Sequence, residues 1–348
     1  MNVVHVVQTR FMQFQPQLSQ LGWARFYLFR AITLPSMLLQ TNQDFLWIIR
    51  ADPNLNNELK SAMKELVKDY PNIALSGSNT NPEGFKCSNC IEDLKDNLWS
   101  GSWEMIESYW EAAKTHTVLE TRLDADDALW LGYIDWIQTR GNVEHWKVWC
   151  PENHLEWHSG RVWRNRTSEK GSLIGLHLPH CVTAGLTWGY GVGTDLHDTP
   201  THKHEQIHKH VPACAKNTTD QCLLRVTPPD QMPSVLRART LTSAGMEHVL
   251  ADGKSETPAE ESFRKKLRHS SWQNSQEELF EGMMFVFGIS DVDLQETKEF
   301  LEDHKAEIAM EALKGQCTKG HSCKNETKLL LNNVLGGSKE DGINQASK

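Results

Sequence analysis

Thr117-Val118-Leu119-Glu120-Thr121-Arg122-Leu123-Asp124-Ala125-Asp126-Asp127-Ala128-Leu129 is a β-type run that ends on three closely spaced carboxylates. Its first seven residues read as a strand, and Ala128 to Thr139 reads as a helix ended by Gly141. Upstream the same alternation repeats. Val3 to Val7 and Phe45 to Ile49 read as buried strands, with Ile73 to Leu75 as a third. Between them lie a helical pattern at Trp23 to Ile32, expected to stop near Leu34-Pro35, and an Asn-capped helix from Asn54 to Tyr70, closed by Pro71. Ser76 to Asp96, rich in Asn, Ser, Gly and Cys, reads as a long loop, and Trp103 to Ala113 as a helix. This order predicts an α/β fold: a mixed, mainly parallel sheet flanked by helices, with a C-terminal helical extension. Open sheets of this kind bind ligands beyond the carboxyl ends of their strands, which is where the Asp cluster falls.

Beyond Gly141 the alternating stretches Trp146 to Cys150, Glu156 to His158 and Arg161 to Trp163 predict a more antiparallel region. The four glycines of residues 185–193 predict a tight or mobile loop, and helices around Glu260 to His269 and Asp293 to Lys314 predict a cap. The expected organisation is one domain over 1–250, divided into halves at 1–140 and 141–250. A helical cap over 251–335 and a disordered tail over 336–348 follow.

The 348-residue chain is 39% hydrophobic and 23% charged, enough to bury a core. A net charge of -9 disfavours nucleic acid and anionic membranes and points to a small-molecule or glycan partner. No signal or 18-residue apolar stretch is visible, so the expectation is a soluble cytoplasmic protein with no membrane span, or one of the Golgi lumen if the native N-terminus is missing. The sequons at Asn165, Asn217 and Asn325 would suit a secretory lumen. Of eight cysteines, Cys87 and Cys90 form a CxxC, without the second pair that a zinc ribbon requires.

Carboxylates packed as at Asp124, Asp126 and Asp127 repel one another, and a hard cation such as Mg2+ or Mn2+ is a common remedy. That cation would bridge the diphosphate of a nucleotide sugar and neutralise the leaving group. The bland alternative is a solvated, helix-capping turn. An EF-hand fails, because Leu129 and Asp135 stand where Gly and Glu are needed, and an aspartyl phosphatase is disfavoured by Asp127-Ala128. A rival site is His204-Glu205-Gln206-Ile207-His208, an HExxH that would bind zinc on a helix as in a metalloprotease, with Glu247 as a possible third ligand. Pro200 and Pro212 confine it, and the extended pattern lacks its Gly and His at Val211 and Cys214.

Gln8-Thr9-Arg10-Phe11, Ala24-Arg25-Phe26 through Leu34-Pro35-Ser36, Gln40-Thr41, Asp44 to Trp47 and Thr121 to Leu129 together resemble blocks of the putative rhamnosyltransferase family. Arg237 to Met246 extends the resemblance to about residue 250. It implies a GT-A-like glycosyltransferase that takes a nucleoside-diphosphate sugar and passes the sugar, L-rhamnose by the family's name, to a glycan or other hydroxyl acceptor. Gln8, Thr9 and Arg10 after the first strand, and Arg50 and Asp52 after the second, become donor-binding candidates, with Arg122 and Asp124; the metal would sit on Asp124, Asp126 and Asp127. An inverting displacement would need a general base, for which Asp195 is favoured over Asp198 and Glu205. His180 or one of His197, His202, His204, His208 and His210 would complete the metal's shell, and Trp188 would stack on an acceptor sugar. A catalytically inert glycan-binding protein would preserve the same fold.

Overall fold

The computed structural model describes residues 3–80, 85, 88–141, 143, 146–159, 172–177, 181–192, 223–229, 232–243 and 276–318. In chain order the first half runs β1 (Val3–Phe11), α1 (Ser19–Leu28), a π-helical turn (Phe29–Thr33), α2 (Leu34–Leu38), β2 (Leu46–Ala51), α3 (Asn57–Val67) and β3 (Ile73–Gly77). Next come α4 (Ser88–Asp96), β4 (Leu98–Ser100), α5 (Trp103–Ala113), β5 (Thr117–Arg122), β6 (Asp127–Leu129) and α6 (Tyr133–Gln138). The second half supplies β7 (Trp146–Pro151), β8 (Asn153–His158), β9 (Ser172–His177), β10 (Thr187–Tyr190), β11 (Leu223–Val226) and β12 (Val235–Arg239). Helices α7 (Gln276–Phe287), α8 (Asp291–Asp303) and α9 (Lys305–Thr318) close the described chain.

Eight strands form one sheet in the order β11-β7-β10-β5-β1-β2-β3-β4, and β6-β12-β8-β9 form a second. The centre, β5-β1-β2-β3, is parallel throughout, as the β-α alternation requires; β10 joins β5 and β7 antiparallel. One face of the large sheet, with Val7, Phe11, Trp47, Ile49 and Leu119, packs in a core shared with α1 and the C-terminal helices. The other face, with Val4, Val6, Ile48 and Val118, is covered by Leu94 of α4 and Ile106 of α5.

Several expected boundaries move. The first helix does not stop at Leu34-Pro35. A π turn, closed by the Leu34 N–H on the Phe29 carbonyl, places Pro35 in the first turn of α2, where its missing N–H costs little. Asn56 caps α3, its side chain accepting from Glu58 and Leu59 N–H. Part of the expected loop at 76–96 is helix α4, whose apolar positions seal the sheet. Asp127 to Leu129 pairs antiparallel with β12 and is therefore a strand, leaving only Tyr133–Gln138 of the expected helix. The glycine-rich stretch contains β10: a Cβ on Gly189 would fall 2.8 Å from Trp149 and 2.9 Å from Leu119, so the glycine permits close strand packing instead of a loop.

Helices α8 and α9 lie along α1. Tyr27 stacks on Phe300 with ring centroids 4.2 Å apart, and the Glu311 carboxylate accepts from Leu21 N–H at 2.8 Å, placing negative charge in the first turn of α1. No described helix is long and apolar enough to cross a membrane.

Candidate active site

At the carboxyl ends of β1 and β5 the two sheets meet around a cavity of about 390 Å³. Its wall carries Asp124, Asp126 and Asp127 together with Arg10, Arg25, Arg237 and Arg239. Each reaches it by a different route. Asp124 and Asp126 belong to the turn that leaves β5 after the Leu123 N–H has bonded the Gln8 carbonyl at 3.0 Å. Asp127 is fixed on β6, its Oδ1 accepting from Ala238 N–H at 3.1 Å. Arg237 lies in register with Asp127 across the β6–β12 pair, so the two share a face.

The rim between β1 and α1 is strained. Met12 (φ 54°) and Phe14 (φ 62°) both occupy the left-handed region, which non-glycine residues rarely adopt. Arg25 holds this turn, donating to Gln15 Oε1 at 2.8 Å and to Met12 sulfur at 3.2 Å, and reaches the Thr242 carbonyl at 3.4 Å. Asp52 supports it from behind, accepting from Phe14 N–H at 2.9 Å and from Asn79 Nδ2 at 2.8 Å. Phe14 itself stands exposed at the cavity edge.

Burial raises the proton affinity of all three aspartates. Burial pushes Asp126 up from 3.8 to about 6, with the neighbouring Asp124 adding to the shift while Arg25 and Arg239 oppose it. Burial also raises Asp124, against Arg237, Arg122 and Arg10, and raises Asp127, where Asp126 and Asp124 add to the effect. The arginines thus only partly offset the loss of water around these carboxylates.

Of the residues singled out in the sequence, Arg10, Asp124, Asp126 and Asp127 converge on the cavity. The other candidates among the described residues lie outside its lining. Gln8, Thr9 and Arg10 sit within β1, and Arg50 within β2, because the parallel ladder continues to Phe11 and Ala51. Gln8 and Arg50 are buried, the Arg50 guanidinium donating to Gln8 Oε1 and Gln8 reaching Glu120 at 3.4 Å. Thr9 accepts from Trp47 Nε1 at 2.9 Å on the opposite face. Arg122 lies 4.7 Å from the centre of the Trp188 ring, and that tryptophan is a buried β10 residue, so its expected stacking on an acceptor sugar gives way to a core position. Asp195, Asp198, Glu205, Glu247, Cys87, His180 and the histidines from 197 to 210 lie outside the described residues. Among the described residues, no three His, Cys, Asp or Glu side chains converge as a complete metal-ligand set. Arg25, Arg237 and Arg239 were not among the site residues expected from the sequence, although all three lie in the segments that carry the family resemblance.

A family model described as "Putative rhamnosyl transferase" matches residues 21–228, more than half of the chain. The chain belongs to this family. It is a glycosyltransferase, and the matched span includes the Asp cluster and Glu156. Among curated proteins none matches. Among solved structures, S. aureus TarS 1–349 in complex with UDP-GlcNAc is 13% identical with a TM-score of 0.36, covering 96% of this chain and 80% of that one. TarS 1–349 in complex with UDP is 10% identical with a TM-score of 0.33, covering 98% and 94%. The apo bifunctional glycosyltransferase WbbM is 9% identical with a TM-score of 0.30, covering 76% and 52%.

Proposed function

We propose that this glycosyltransferase moves a sugar, L-rhamnose by its family's name, from a nucleoside diphosphate to the hydroxyl of a glycan or small-molecule acceptor in the Asp–Arg cavity. The observation that carries the reading is the convergence of three aspartates and four arginines at the carboxyl end of a parallel sheet. Arg10, Arg25, Arg237 and Arg239 supply forked donors suited to phosphate oxygens. Yet these four cations already face four carboxylates, the three aspartates and Glu156 behind Arg237. A donor diphosphate would therefore bring uncompensated negative charge.

That imbalance, and the elevated pKa of Asp126, fit a divalent cation that Asp126 and Asp124 would hold, supplying the positive charge a donor diphosphate needs. Asp127, with one oxygen occupied by Ala238 N–H, is the less available ligand. When bound, Mg2+ or Mn2+ would offset charge on the departing diphosphate. Meanwhile the arginines orient the donor, and the strained Met12–Gln15 turn shapes the rim beside it. If the donor is β-linked L-rhamnose, inversion would yield an α-rhamnoside and require a base, for which Asp195 is the favoured candidate.

Isothermal titration of UDP-, GDP- and dTDP-sugars, with and without Mn2+, tests this on wild type and Asp126→Ala. The expected outcome is metal-dependent binding of one donor class, weakened about a hundredfold or more in the variant, on the scale of removing one preorganised electrostatic contact. No binding by any donor to folded wild type would overturn the reading.

A further inference from the structure

The second sheet carries a charged row that does not belong to the Asp cluster. Across β6, β12 and β8 the register places Asp127, Arg237 and Glu156 side by side, and one step along it places Arg239 beside His158. Glu156 Oε1 accepts from Arg237 Nη1 at 3.0 Å and from Arg239 Nε at 3.2 Å. Its second oxygen lies 3.5 Å from His158 Nε2.

Exposure rises outward from this carboxylate: 5% for the Glu156 side chain, 17% for Arg237 and 30% for Arg239. Glu156 does not line the cavity, whereas both arginines do. A long, flexible guanidinium side chain samples many rotamers unless something fixes it. Here one buried carboxylate binds both, occupying one N–H of each and leaving further N–H donors for an anion in the cavity. A structural ion pair alone would not require two arginines, both lining the same cavity, on one carboxylate oxygen.

We infer that Glu156 is a positioning residue, which holds Arg237 and Arg239 in place for the phosphates of a nucleoside-diphosphate donor. The inference rests on the donor-site reading above. It adds a residue that touches neither donor nor metal but sets the geometry of two that meet the donor, as partners behind liganding side chains do elsewhere.

The test is titration of UDP, GDP and dTDP, each with Mn2+, into wild type, Glu156→Gln, Arg239→Lys and the double variant, alongside thermal unfolding and the KM and kcat of donor hydrolysis. Glu156→Gln is expected to unfold cooperatively and to weaken nucleotide binding roughly ten- to a hundredfold. KM should rise more than kcat falls. In the double variant the two losses are expected to be non-additive, because both act through one contact. Glu296→Gln, which breaks a surface pair with Arg30, serves as the unaffected control. Wild-type binding retained in folded Glu156→Gln, or fully additive losses, would overturn the inference while leaving the donor reading intact; no nucleotide binding by folded wild type would remove both. Should Glu156→Gln fail to fold, Glu156→Asp keeps the charge on a shorter stem, and unaltered affinity in that variant would overturn the inference equally.

Discussion

Arg10 and Arg50 are register partners at the carboxyl ends of adjacent strands, yet they stand in opposite environments. Arg10 reaches the open cavity with the Asp cluster. Arg50 is sealed: its guanidinium meets Gln8, while Glu120 nearby accepts from Tyr190 hydroxyl, Phe85 N–H and Gln8. Burial dominates both charges in the sealed group, lowering Arg50 to about 10 and raising Glu120 above its usual range, with each partner only partly offsetting the loss of water. The same sheet edge thus delivers charge to two places. What covers each place decides its role: Phe85 and Leu94 close over the apolar cluster on one side, whereas the aspartates keep a cavity in front of them.

Arg50→Met tests the sealed role of Arg50 most directly. If Arg50 serves the fold, removing it leaves Glu120 buried without its cation and costs about 3–5 kcal/mol. Denaturant unfolding would measure that loss, with nucleotide affinity of the folded fraction unchanged. Intact stability with lost affinity would instead put Arg50 in the donor site, as its sequence position suggested.

A second effect concerns the seal. Cys150 on β7 is bonded to Cys181 in the turn that leads to β10, and both are buried in the cluster with Trp188 and Tyr190. Two residues beyond Cys181, Thr183 lines the cavity. The bond closes a separation of 31 residues, so replacing both cysteines by alanine should lower stability by roughly 2–4 kcal/mol, read from the shift in denaturant midpoint. Equal stability of the reduced and oxidised protein would sink this expectation. Cys90, from the CxxC, is also disulfide-bonded, and such bonds persist best in an oxidising compartment.

The parts of this molecule that were legible in the sequence are those set by local pattern. Strands β1, β2, β3 and β5 announce themselves as short β-prone runs, α5 by its amphipathic spacing, and Asp124 to Asp127 by position after a strand. The second sheet was not legible as such, because its order, β6-β12-β8-β9, lays β12 against strands eighty or more residues earlier in the chain. For the same reason Glu156 looked like one carboxylate among many until β8 was laid against β12. Arg50 was misplaced by a boundary: a strand two residues longer carries it into the ladder and inward, not out into a loop. Trp188 was obscured by its neighbouring glycines, one of which, Gly189, makes room for Trp149 in the fold.

The smallest effect lies on the opposite face of β1, where His5 is fully buried and its Nε2 lies 2.8 Å from Thr121 Oγ1. Burial lowers its pKa from 6.5 to about 3, so the folded protein keeps this imidazole neutral where the unfolded chain would protonate it. Between those two values the unfolded state binds more protons, and stability from this group must fall as pH drops through the window and return as pH rises above 6.5. The slope from one such group is at most about 1.4 kcal/mol per pH unit. Other groups titrate nearby. The raised aspartates slope the opposite way, and Glu156, held low by His158 and its two arginines against the burial that opposes them, acts only under more acidic conditions. His5→Gln retains a polar partner for Thr121 but cannot titrate, so the difference between variant and wild-type unfolding free energies at pH 7 and pH 5 isolates the histidine. Parallel pH profiles would show that His5 gains a proton in the folded state, and that this face of β1 is less sealed than the Arg50 side.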